Sequence, residues 1–401
     1  MRVLIAGGGI GGLAAALACS RAGCAVDLFE KATAFEAIGA GIQLGPNVTR
    51  ILHAWGLEPA LKDVAAYPDN LLVRDANTGN LLGRLRLGDA ALHRYGSPYA
   101  TVHRADLHAL LLNAVKQFPQ THLQLDSEVA SFAQSGADVS IAVNAPGHTS
   151  KTLSGDVLIG ADGLWSQVRS QLRNDGPPHA TGHVAYRAML LQKDLPADLR
   201  SNGITAWLGP KMHAVQYPVR GGEWLNVVVI VEAGGAAASN SWNQVFSGKI
   251  MPQAALDKRS QLSKLLQYVA TWQAWPLCAR APMRSAQAHF PASDAQNKVN
   301  TRVALLGDAA HPMLPYLAQG AGMAIEDADG LATCLAGCED VRQALQNYAQ
   351  NRWQRNARVQ ARAIRNGRIF HATGLVKLGR NLAMKMFGER ILDLHWLYAG
   401  P

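Results

Sequence analysis

The first residues of the chain suited to chemistry are a cluster of glycines and one acid. Gly7-Gly8-Gly9-Ile10-Gly11-Gly12 satisfies the spacing G-x-G-x-x-G, and Glu30 closes the segment that follows. Each glycine has a task. Gly7 permits a tight turn, Gly9 lets the backbone approach a pyrophosphate, and Gly12 lets a helix pack closely on a strand. The helix N-terminus behind the turn offers N–H groups and partial positive charge to phosphate oxygens. Glu30 stands where a carboxylate accepts hydrogen bonds from an adenosine ribose, with Lys31 beside it. The elements that must hold these residues are readable on either side. Arg2–Ala6 reads as a buried parallel strand, Leu13–Ser20 as a helix and Ala25–Phe29 as a second strand. In that context the glycines mean dinucleotide binding rather than a ligand-free helix start. They do not separate FAD from a nicotinamide dinucleotide.

Two further turns carry acids. Val157–Gly160 reads as a strand running into Ala161-Asp162-Gly163, with Ser166 near the start of the next helix. Val303–Gly307 ends in Asp308 and leads through His311 to Pro315. Gln319-Gly320-Ala321-Gly322-Met323 then opens a helix bearing Glu326 and Asp327. An acid at the carboxyl end of a strand is well placed to accept hydrogen bonds from a polyol. Elsewhere, Lys211–Arg220 reads as a strand ending at Gly221-Gly222, with Asn226–Ile230 as its partner. That is a hairpin of a second, β-rich domain. His213, Val215 and Tyr217 fall on one face by the period of two. His213 and Tyr217 are about 13 Å apart along the strand, a spacing that flanks a ligand rather than serving one atom. Taken alone, a strand histidine is ordinarily a satisfied sheet residue.

In this order, these segments resemble the fingerprints of the class A flavoprotein monooxygenases, the para-hydroxybenzoate hydroxylase fold. The resemblance is closest to the branch of salicylate 1-hydroxylase, 3-hydroxybenzoate 6-hydroxylase and 6-hydroxynicotinate 3-monooxygenase. It covers essentially the whole chain, including Leu392–Tyr398. It implies an α/β fold: a Rossmann-type FAD-binding domain, an inserted β-sheet substrate domain and a C-terminal helical segment. It also implies FAD as cofactor and NADH or NADPH as co-substrate. The implied reaction is O2-dependent hydroxylation of a small phenolic aromatic through a flavin C4a-hydroperoxide. By the same resemblance Asp308 binds the ribitol hydroxyls. The N–H groups of Gly320, Ala321, Gly322 and Met323 face the flavin pyrimidine edge, where they favour the charge of reduced flavin. Pro315 lies beside the flavin face, and Asp162 on the FAD and nicotinamide side. Arg104, in Thr101–Leu107, contacts the FAD phosphate region, since a guanidinium suits phosphate bidentately. Gly41, in Gly39–Leu44, passes the isoalloxazine.

His213 and Tyr217 match residues implicated at the substrate in related enzymes. There a histidine with a pKa near neutrality would take the phenolic proton and make the ring a better nucleophile. His311 is expected to be structural or flavin-side, and Asn47 to line the site. Arg187 is expected to pair a carboxylate or form a surface salt bridge. No family-wide arginine for a substrate carboxylate is identifiable, which leaves a neutral phenol or hydroxypyridine open beside a benzoate.

The length of 401 residues suits about two domains. The expected FAD-binding domain is discontinuous, 1–70, 101–180 and 280–350. The substrate domain takes 71–100 and 181–279, and the helical segment 351–401. The Ala/Gly/Ser-rich run from Glu232 to Ser241 reads as a mobile loop. A net charge of +9 suits anionic ligands, and dispersed basic residues without a nucleic-acid motif argue against nucleic acid. Five cysteines without a framework fit a reducing cytoplasm. Cys334 and Cys338 lack companion ligands for zinc, so no metal is expected. The apolar run from Val3 to Cys19 is crowded with glycines and reads as neither signal peptide nor span, so no stable membrane insertion is expected. The expected partners are the aromatic substrate, O2 and NAD(P)H, with the chain a monomer or homodimer. Arg352, Arg355, Arg358, Arg362 and Arg365 recur at three or four residues and read as a solvated basic helix face. That stripe is the only support for an alternative, a related hydroxylase acting on a lipophilic quinone precursor at a membrane surface.

Overall fold

Short apolar runs build the first sheet. The computed structural model describes residues 1–35, 40–144, 150–233, 244–247, 256–286 and 301–401. In it, Val303–Leu305, Val157–Gly160, Arg2–Ala6, Ala25–Phe29 and Thr121–Gln124 lie side by side in that order, all parallel. Val3 pairs with Val157 on one side and Val26 on the other, and all three are fully buried. Strands covered on both faces need continuous apolar runs, which is how these read. The helix Ile10–Arg21 follows the first strand and packs on the helix Gly320–Ala336. Gly11 allows that approach, since a Cβ there would stand 3.1 Å from Leu306 and 3.4 Å from Ala324. A small antiparallel sheet, Glu128–Gln134, Val139–Asn144 and Lys151–Gly155, adds Val129, Val139 and Ile141 to a core with Leu4, Leu158 and Leu305. This unit comprises Met1–Ile38, Leu107–His179 and Arg280–Arg362.

The second unit comprises Gly39–Asp106, Ala180–Ala279 and Ala363–Pro401. Residues 39–70 group here because Gly41–Leu44 pairs with Ala100–His103. Its eight-stranded sheet runs Gln244–Ser247, Thr271–Ala279, His179–Leu191, Trp224–Glu232, Met212–Val219, Ile204–Gly209, Asn70–Asp75, Leu81–Arg86. The hairpin forms with Val215 opposite Val228 and Tyr217 opposite Asn226. Its turn holds Arg220, Gly221 and Gly222 at φ 52°, 63° and 93°. Two of the three are glycines, which reach that region without steric cost.

Alternation divides this sheet into two faces. On one, Ala188, Ala214, Val227, Val229 and Trp272 pack with the helix Gln261–Leu266 in an apolar core. The other carries His183, Arg187, His213, Tyr217, Asn226 and Glu232, placed together by the register of three adjacent strands. The fold class is thus α/β, with a parallel nucleotide-type sheet, a large β-sheet unit and C-terminal helices. Gly39 and residues 234–241 of the expected mobile loop lie outside the described residues.

Candidate active site

The glycine turn of the first unit is built as its spacing requires. Gly7 has φ +102°, and a Cβ there would stand 2.5 Å from the Ala161 carbonyl. A Cβ on Gly12 would stand 1.9 Å from the Gly7 carbonyl, whereas one on Gly9 would meet nothing within 4 Å. The turn is therefore closed beneath and open above, where phosphates would lie. No side chain caps the helix Ile10–Arg21, so its first N–H groups are left for an anion. Glu30 accepts hydrogen bonds from the N–H groups of Gly8 at 2.6 Å and Ala32 at 2.8 Å. Its carboxylate is thereby fixed, with lone pairs remaining for hydroxyl donors. His108, not singled out from the sequence, bonds the Gly8 carbonyl through Nε2 at 2.8 Å. A cavity of about 300 Å3 opens here, lined by Gly7, Gly9, Glu30, Lys31, Asp162 and Gly163 among others.

Asp162 also has a local duty. Its Oδ2 accepts from the N–H groups of Gln167 at 2.8 Å and Val168 at 3.1 Å, beside the Ser166 cap of the helix Gln167–Arg173. Burial raises its pKa, and these hydrogen bonds oppose the rise.

Gly307 turns the chain at φ +59°, and Asp308 follows with its side chain exposed. Pro315 is exposed at the next turn. The helix Gly320–Ala336 starts after Gln319 without a capping side chain, and a Cβ on Gly320 would meet nothing within 4 Å. That start, with Ala321, Gly322 and Met323, presents helix N–H groups to an electronegative edge. The helix is held from behind by a buried ionic cluster. Arg352 donates to Asp327 at 2.8 Å and Glu326 at 2.9 Å, Arg355 donates to Glu326 at 2.6 Å, and Asn356 donates to Asp327 at 2.9 Å. His311, 1% exposed, pairs with Asp327 through Nε2. The solvated stripe expected from the arginine spacing is corrected for Arg352 and Arg355, since Arg352 is 3% exposed and both face acids, whereas Arg358 and Arg365 are exposed as expected. An open glycine turn, uncapped helix starts and an acid at a strand's end suit a dinucleotide cofactor.

The second unit presents the remaining predicted residues. The Gly41 N–H donates to Asn226 Oδ1 at 2.7 Å, and a Cβ on Gly41 would stand 2.4 Å from the Tyr217 ring. Arg104 is exposed, and its N–H bonds the Ala40 carbonyl at 2.7 Å. Asn47 is buried in the first turn of the helix Pro46–Ala54. His213 is 2% exposed, with Nδ1 2.8 Å from Nε2 of His371. His371 stacks on His183 at 5.0 Å, and its Nδ1 lies 3.4 Å from Glu232. Burial first, then His371 and His183, push His213 well below the usual histidine range. Burial, His183 and Arg380 lower His371 to about 3. Both rings are neutral at neutral pH, so the near-neutral pKa expected of His213 is displaced by its surroundings. Burial pushes the Tyr217 phenol up against the opposing effect of Arg187, which keeps it a protonated donor. Among the described residues no carboxylate forms the expected surface salt bridge with Arg187. Its guanidinium instead lies 3.4 Å over the Trp275 ring.

A family model described as FAD binding domain matches residues 1–363. A 3-hydroxybenzoate 6-hydroxylase of Polaromonas naphthalenivorans (strain CJ2) is 38% identical over 405 residues, covering 99% of this chain and 95% of the relative. A 6-hydroxynicotinate 3-monooxygenase of Bordetella bronchiseptica (strain ATCC BAA-588 / NCTC 13252 / RB50) is 35% identical over 367 residues, covering 90% of this chain and 89% of the relative. A solved salicylate hydroxylase substrate complex superposes with a TM-score of 0.79 at 25% identity, covering 100% of this chain and 96% of that one.

Proposed function

We propose, since the chain belongs to the FAD binding domain family, that it hydroxylates a small phenolic aromatic of the hydroxybenzoate or hydroxypyridine class with FAD, NAD(P)H and O2. The observation that carries this reading is the 38% identity to a 3-hydroxybenzoate 6-hydroxylase across 99% of the chain. Gly7, Gly9 and Gly12 with Glu30 would hold the adenosine half of FAD, with Lys31 and Asp162 along the same cavity. Asp308 would take the ribitol hydroxyls, the helix start at Gly320–Met323 the pyrimidine edge, and Arg104 a phosphate. Gly41 and Pro315 would flank the ring system. FAD, reduced by NAD(P)H, supplies the electrons that make O2 an electrophilic oxygen donor.

The chain's own residues prepare the aromatic ring. Neutral His213 accepts the phenolic proton at Nε2 while Nδ1–H donates to His371. Tyr217 donates its hydroxyl to the bound ligand. Five free thiols support a reducing cytoplasmic setting. The quinone-precursor alternative keeps no observation in its favour, because Arg352 and Arg355 face Glu326. Among the described residues, no helix is long and apolar enough to cross a membrane.

The test is a screen of hydroxylated benzoates and pyridines for NAD(P)H oxidation, O2 uptake and product, with the protein-bound flavin identified after denaturation. FAD release and a ring hydroxylated in proportion to NAD(P)H consumed are expected. Full conversion of O2 to H2O2 whatever aromatic is present would make the protein an oxidase.

A further inference from the structure

Three residues far apart in the chain meet beside His213. His183 and Glu232 stand directly opposite each other on the paired strands His179–Leu191 and Trp224–Glu232. His371 follows the helix Val341–Phe370, and its Nδ1 lies 3.4 Å from the Glu232 carboxylate. The rings of His371 and His183 stack with centroids 5.0 Å apart and planes 10° from parallel. One ligand atom from each of the three lies within 4.8 Å of the other two. Ligand bonds of about 2.0–2.2 Å put two atoms on one ion at most about 4 Å apart, so a contraction of about 1 Å closes the set. Glu232, with its side chain 40% exposed, has room for that movement. Lys211 fixes two of the backbones: its N–H donates to the His371 carbonyl at 3.1 Å, and its carbonyl accepts from the Glu232 N–H at 3.0 Å. All of these residues belong to the second unit.

Two imidazoles and one carboxylate are a donor set for a divalent first-row transition ion, whereas magnesium and calcium prefer oxygen alone. Burial lowers the pKa of both His183 and His371, which leaves them neutral, the form that ligates. Arg380 works against a cation here, and the Glu232 carboxylate offsets it. A ligating histidine ordinarily places its other ring N–H on an acceptor. His371 has one, since its Nε2 lies 2.8 Å from Nδ1 of His213. We propose that His183, Glu232 and His371 form a zinc-class metal site, and that its occupancy switches hydroxylation off. An ion on His371 Nδ1 puts that ring's proton on Nε2, from which it is donated to His213 Nδ1. Neutral His213 then carries its own proton on Nε2, the atom that must be bare to take a phenolic proton. The switch rests on the role proposed above for His213, and the site does not depend on it.

The experiment uses the purified FAD-loaded protein, stripped of metal with EDTA and then freed of the chelator. Zinc binding is followed by titration calorimetry with magnesium as the control, and hydroxylation by product formed from 3-hydroxybenzoate. Wild type should take up one zinc ion per chain and no magnesium. It should lose hydroxylation in step with occupancy, keep its FAD, and recover when EDTA is returned. His183→Gln and Glu232→Gln lie outside the proposed chemistry, so their metal-free rates should be unchanged. Each should raise the Kd for zinc by at least the roughly 10- to 100-fold that loss of an outer partner costs, and weaken inhibition by the same factor. Either variant serves if the other does not fold. No saturable zinc binding by wild type, or binding undiminished in both variants, would overturn the site. Binding lost in the variants, with wild-type hydroxylation indifferent to zinc, would overturn the switch and leave the site. No turnover of any phenol would remove the reaction read above, and the calorimetry would still decide the site.

Discussion

One nitrogen of His213 is occupied by a second histidine, and that contact decides what each ring can do. On the proposed reading His213 would accept a phenolic proton against the low pKa that its surroundings impose, with His371 steadying the ring. His213→Ala should lower hydroxylation roughly 10²–10⁴-fold at neutral pH with FAD content unchanged. The defect should shrink as pH approaches about 10, where a phenol ionises unaided. An unchanged rate and coupling would remove His213 from the chemistry. The same burial has a thermodynamic consequence. An unfolded chain protonates these imidazoles below about pH 6.5, whereas the fold holds His371 neutral down to about 3. Their contribution to stability is complete above pH 6.5 and is lost as the pH falls toward 3. The urea midpoint should therefore decline from pH 7 to pH 5, and His371→Gln should flatten that decline; a pH-independent wild-type midpoint would refute the linkage. The period of two is local, so the common face of His213 and Tyr217 was legible in the sequence. His371 was not, because 158 residues separate it from the ring it touches. Arg187 was visible as a residue but not as an unanswered charge, since only the fold shows what surrounds it.

At the level of elements, the helix Gly320–Ala336 has an open start and an anchored back. Its start was legible because glycine spacing is local. Its anchor was misread, because an arginine every three or four residues identifies a helix face without saying what that face meets. Arg352→Met would leave buried Asp327 without its arginine and buried Glu326 with Arg355 alone. That should cost about 3–5 kcal/mol in urea unfolding and loosen the flavin with it. Asp308→Ala touches the exposed end of the neighbouring turn. It should weaken FAD retention by about 1–3 kcal/mol and cost the flavin-free protein less in unfolding than Arg352→Met does. If the two variants behaved alike in both measurements, the separation between holding the helix and holding the cofactor would be wrong.

At the scale of the whole molecule, each unit is assembled from three separated stretches of chain. The glycine turn and the acids marked the nucleotide unit from its first residues. The grouping of 363–401 with the second unit was not legible, because it depends on contacts such as Lys377 with Asp75 and Arg50 with the Ala399 carbonyl. That grouping matters most while the protein is being made. A ribosome delivers the chain from its N-terminus at roughly 5–20 residues per second. The outermost parallel strand, Val303–Leu305, emerges long after Arg2–Ala6, and His371 long after His213. For roughly tens of seconds the early strands stand with unpaired edges and uncovered apolar faces, the condition in which sheets join the wrong neighbours. During synthesis the strand Val157–Gly160 therefore keeps an uncovered edge until Val303–Leu305 has emerged to pair with it.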